Sequence, residues 1–117
     1  MSKASDWTKK VRNENEPEIR ALVERQFNDG ARNARIRRDV LVRRWSSVGC
    51  YFGASDLIDY VRRSGRFERE MGRQNIDVVV KRVIAKMERE NLIESCIGFG
   101  PTGRERREWF LTDGPVA

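Results

Sequence analysis

The chain has 117 residues, 38% hydrophobic and 36% charged, with a net charge of +6. That length suits one hydrophobic core, not two, and no apolar run approaches the roughly 20 residues of a membrane helix, so no membrane partner is expected. With no histidine and only two cysteines, the commonest general base and the commonest metal ligand are missing, and neither a metal nor a cofactor is expected.

The start, MSKASDWTKK, has no apolar h-region, so the expectation is no secretory signal and a cytoplasmic protein. Cys50 and Cys96 each sit in an apolar context. They are expected as reduced, buried thiols, a disulfide staying open only if their segments pack together. Charge is uneven along the chain. Residues 31–48 carry six arginines against one aspartate, residues 72–93 five cations against three acids, and residues 1–30 are balanced. A clustered basic surface points to a polyanion. The alternatives are solubility alone, or the charge enrichment of a heat-adapted protein.

Residues 1–15 are polar with Lys3, Lys9, Lys10 and Arg12, and read as a flexible basic arm, Trp7 being the apolar exception. A first helix is predicted over 16–30. Asn15 is its N-cap, Pro17 lies in the first turn, and Gly30 is its left-handed end. Ile19, Leu22, Val23 and Phe27 share its apolar face, and this helix is a possible dimerisation element. A second helix over 32–46 has two apolar faces: Ala34, Leu41, Trp45 and Val48 on one, Ile36 and Val40 on another. Packing on both sides gives the expectation of a homodimer.

Residues 49–53, Gly-Cys-Tyr-Phe-Gly, read as a short strand. A third helix starts with Ser55 as N-cap, buries Leu57, Ile58 and Val61, and closes at Ser64 and Gly65. The connection RFEREMGR holds one turn around Phe67 and Met71. Next comes QNIDVVVKRVIAKMERENLI, residues 74–93. At 100° per residue, Ile76, Val80, Val83, Ile84 and Met87 share one face, and Val78, Lys81, Arg82, Ala85 and Arg89 the other. Three successive valines are poor helix formers, which leaves a strand open on propensity; the spacing through Met87 favours the helix. Cys96 to Phe99 then reads as a strand, Gly100 to Gly103 as a turn, and Arg104 to Thr112 as the returning strand. Arg107, Trp109 and Leu111 fall on one of its faces.

The segment Val80, Ile84, Met87, Glu88, Asn91-Leu92-Ile93 resembles the recognition-helix ending of prokaryotic, archaeal and viral winged helix-turn-helix regulators, with Met87 for a Leu and Asn91 for a Gly. The run from Arg104 to Thr112 resembles the basic wing strand of that superfamily, which ends in aromatic-x-Leu-Thr. The likeness covers about residues 33–113 and is loosely PadR-like or MarR-like. Asn75-Ile76-Asp77-Val78-Val79-Val80 stands where PadR-like regulators carry Gly-x-Leu-Tyr-Pro. The resemblance implies a mainly α fold with a small antiparallel β-hairpin, a winged helix-turn-helix with an extra N-terminal helix. The divisions are an arm at 1–15, a helix at 16–30, a winged-helix domain at 31–113 and a tail at 114–117.

On that reading the outer face of the 74–93 helix enters a major groove. Gln74 and Asn75 suit adenine, Lys81 and Arg82 suit guanine or phosphate, and Val78 a thymine methyl. Arg89 extends the cationic face, and Arg104 and Arg106 on the wing follow the backbone. Each has a plainer reading as a solvated charge or a helix-start residue. Asp77 counts mildly against duplex binding. The expected function is sequence-specific double-stranded DNA binding by a small dimeric transcriptional regulator, with no small-molecule effector evident. The alternatives are a winged-helix protein-interaction or assembly module and an RNA-binding domain. No enzyme is expected, for there is no glycine-rich phosphate loop and no serine nucleophile motif.

Overall fold

The computed structural model describes residues 3–41, 51–99 and 102–112, with backbone alone for residues 3–5, 32–41 and 99. It is mainly helical with one antiparallel hairpin: α1 (Lys3–Leu41), α2 (Ala54–Arg63), α3 (Glu68–Arg89), β1 (Ile93–Phe99) and β2 (Glu105–Leu111). The helical class and the hairpin agree with expectation.

α1 departs from it. From Lys3 to Leu41, the described parts of the expected arm, first helix and second helix are one continuous helix through Pro17 and Gly30. Ile19, Val23 and Phe27 are at most 1% exposed and Ala31 is buried, a stripe at four-residue spacing. Burying each large side chain contributes about 1.5–3 kcal/mol, whereas a helical glycine costs about 1 kcal/mol. Past Gly30, which is itself buried, the helix carries Ala31 into the same buried stripe. Asn15 is not the N-cap. Its side-chain amide donates to the Val11 carbonyl at 2.9 Å, inside the helix. Pro17 lies on the exposed face, so the carbonyl it leaves without a donor is open to water. Upstream of it, residues 3–16 are held by buried Val11 and by polar contacts to α3. The side chains expected to form a second, dimeric face (Ala34, Ile36, Val40, Leu41, Trp45 and Val48) and Cys50 lie outside the described ones.

α2 begins earlier than expected. Gly53, not Ser55, is its N-cap, and the Asp56 carboxylate accepts the Gly53 backbone N–H at 3.0 Å. Leu57, Ile58 and Val61 are buried as expected. Phe67 and Met71 then bury the short turn that opens α3. Gly72, with φ 78° and ψ 160°, breaks that turn from the helix proper. Beyond it Ile76, Val79, Val80, Val83, Ile84 and Met87 face the core. α3 ends as its sequence predicts: Asn91 has φ 61°. Its N–H donates to Glu88 at 3.1 Å and that of Leu92 to Met87 at 3.0 Å, the double bond pattern of a left-handed helix stop.

β1 and β2 pair from Ile93↔Leu111 to Phe99↔Glu105. Phe52 exchanges both backbone hydrogen bonds with Trp109, at 2.9 and 2.8 Å, along the other edge of β2. Of the short strand expected at 49–53, the described residues show only this isolated bridge at Phe52, whose ring also meets Phe27 of α1 edge-on at 5.5 Å. Trp109 and Leu111 pack against the core.

Candidate nucleic-acid interface

After Gly72 the outer positions of α3 recur at helical spacing. Gln74, Lys81, Ala85 and Arg89 are exposed and Val78 is half-buried between them. None of these five is acidic, and Lys81 and Arg89 have no ion pair among the described residues. The adjoining side of α3 faces the hairpin. Lys81, Ile84, Ala85 and Glu88 line a half-enclosed groove of about 190 Å³ with Ala54, Arg107 and Trp109. Arg107 donates to Glu88 and to Ser95 Oγ, both at 3.1 Å, and its guanidinium stacks 5.3 Å from the Trp109 ring centroid. Arg104, exposed beside Gly103, adds a further cation to the wing.

Three expected contact residues are engaged within the molecule. Asn75 donates to the Met71 carbonyl at 2.6 Å and accepts from Arg12 at 2.8 Å. Arg82 reaches Asn13 and Glu16 of α1 at 3.2 and 3.3 Å. Arg106 donates to Asp56 at 2.5 Å and Glu108 at 2.8 Å. Its guanidinium lies over Gly53, where a Cβ would meet it at 2.8 Å. Burial works to lower the Arg106 pKa, but the hydrogen bonds from it to Asp56 and Glu108 raise it. Arg106 thus ties β2 to the start of α2. Glu108, though charged, is 7% exposed. Gly98 across the ladder leaves it room, since a Cβ there would collide with the carboxylate.

Glu16 is the main intramolecular counter-charge to α3. It accepts from Lys86 at 2.5 Å as well as from Arg82. Partial burial works to raise its carboxyl, yet the hydrogen bonds from Lys86 and then Arg82, with their charges, hold it below its ordinary 4.5. A depressed carboxyl adds stability above its unfolded pKa that is lost as pH falls through the folded value. Glu16→Gln should therefore lower stability by on the order of 1 kcal/mol at neutral pH, allowing for the partly exposed cations. On a duplex it should steepen the salt dependence by about one counterion, because one negative charge is removed. Paired thermal melts and binding isotherms of the two proteins read both effects; unchanged stability would mean the pairing contributes nothing.

Asp77 Oδ1 is buried with no hydrogen-bond partner. Its charge weakens the positive field near the start of α3. Cys96 is a free, half-buried thiol, and burial first, then the charge of Glu108, pushes its pKa up.

Two groups of residues escaped the reading of the sequence. Arg107 was assigned no contact, yet its side chain is 57% exposed. The five arginines between positions 62 and 73 lie partly in a segment whose equal acid count hid them; their density was the usable signal. Among the described residues no cluster of acidic or sulfur side chains could hold a metal, and no helix is long and apolar enough to cross a membrane. No family model, no curated protein and no solved structure matches the chain.

Proposed function

We propose that this protein is a winged helix-turn-helix protein that binds double-stranded DNA in a sequence-specific manner, and that it acts as a dimeric transcriptional regulator. The observation that carries this reading is the acid-free outer stripe of α3, Gln74, Val78, Lys81, Ala85 and Arg89, whose two cations have no ion pair among the described residues. A helix of about 10–12 Å diameter fits a major groove about 12 Å wide. Polar and cationic ends spaced along one face are what base edges and flanking phosphates accept. The element order supports it further: helix, isolated bridge residue at Phe52, two helices, then a two-stranded hairpin. Arg104 on the wing adds a flanking contact. Two copies would place two such helices on successive half-sites.

A protein-interaction module is the second reading. Glu16, Asp56 and Glu108 neutralise Arg82, Lys86 and Arg106, which leaves fewer free cations than the sequence promised. The Trp109 groove is also partly apolar. Salt separates the two. With about four phosphate contacts, duplex affinity should fall roughly a hundredfold between about 50 and 200 mM salt. Absence of duplex binding at low salt would overturn the DNA reading.

A further inference from the structure

The junction of α2 and α3 carries charge that the α3 stripe does not use. Asp59, Arg62, Arg63, Glu68 and Arg73 line an open cleft of about 480 Å³ immediately before Gln74. Glu68 offers one carboxylate to two guanidiniums. Arg73 takes it at 2.7 Å, and Arg62 is left at 3.7 Å. Arg62 Nε is buried and has no hydrogen-bond partner. Among the described residues Arg63 donates only to the backbone carbonyl of Asp59, at 3.3 Å. Three guanidiniums thus face two carboxylates, and among the described residues two of the three lack a hydrogen-bonded carboxylate.

We propose that this cleft seats one phosphate of the DNA backbone, flanking the site read by α3. The inference rests on the duplex-binding reading above. A phosphodiester carries one negative charge, which matches the single uncompensated cation, and its two free oxygens match the fork of donors on a guanidinium. A cation is repelled by the same balance. The cleft adjoins Gly72 and the first stripe residue, so a phosphate held there sets the register of the helix on the duplex without reading a base.

The test compares three full-length proteins on a mixed-sequence duplex and on any preferred sequence, each over a salt series. Arg63→Gln with Arg73→Gln should weaken both duplexes equally, by about tenfold, and reduce the slope of log affinity on log salt by about 0.9 for the lost phosphate. Glu68→Gln keeps every cation and should do the opposite, tightening both duplexes and steepening the slope. That second variant keeps the test decisive if the first fails to fold. Wild-type slopes in both variants, on a protein that binds duplex, would overturn the cleft and leave the α3 reading intact. A wild-type protein that binds no duplex at low salt overturns both.

Discussion

Replacing Lys81 and Arg89 together by alanine is expected to lower duplex affinity by about a hundredfold or more while leaving the melting temperature nearly unchanged. Both side chains are exposed and neither has an ion pair among the described residues, so neither contributes to the fold beyond a few tenths of a kcal/mol. On the duplex each would contribute about 1–3 kcal/mol if it meets a base edge, and about 1.4 kcal/mol is a factor of ten. The separation of the two readouts matters. Arg82 and Arg106, equally basic in sequence, are bound to carboxylates, and their loss should appear in stability. Fluorescence anisotropy with a labelled duplex, beside thermal melts, makes the comparison. Unchanged affinity in the double variant would remove α3 as the reading element.

The second large effect lies at Gly72. Its φ of 78° with ψ of 160° belongs to a region that only glycine occupies at ease. Nothing lies within 4 Å of where a Cβ would stand, so space is not the constraint. Gly72→Ala should destabilise the protein by about 1–3 kcal/mol from backbone strain. This is offset only in part by the roughly 0.4–1 kcal/mol that a less flexible unfolded chain contributes, so the strain wins. A D-alanine at the same position has the opposite backbone preference and should be neutral or stabilising. Denaturant midpoints of the L- and D-alanine proteins decide the matter, and equal midpoints would mean that the strain is not there. Gly72 also sets the angle between the Phe67–Met71 turn and the stripe of α3, so the L-alanine variant should bind duplex less well than its folded fraction accounts for.

The parts that were legible in the sequence are those set by local pattern. The α3 face through Met87, the left-handed stop at Asn91, the buried Phe67 and Met71 and the hairpin all follow from spacing and turn chemistry within a short stretch of chain. α1 was not legible. Asn15 and Pro17 are sound local start signals and Gly30 a sound stop signal, yet one helix runs through all three. The same limit applies to the site. Nothing near Arg82 in sequence indicates that Glu16, 66 positions away, would take its charge. Nor does the wing strand reveal that Arg106 folds back onto Asp56, 50 positions away. Patterning places a cation on a face; only the packing of the helices determines which carboxylate meets it.

If the outer stripe of α3 is the surface that meets DNA, backbone amide chemical shifts followed during titration with a short DNA duplex will reveal it most directly. The shifts are expected to concentrate at Gln74, Val78, Lys81, Ala85 and Arg89, with a second group at Arg104. Shifts that avoid α3 and gather elsewhere on the molecule would contradict DNA reading by this helix.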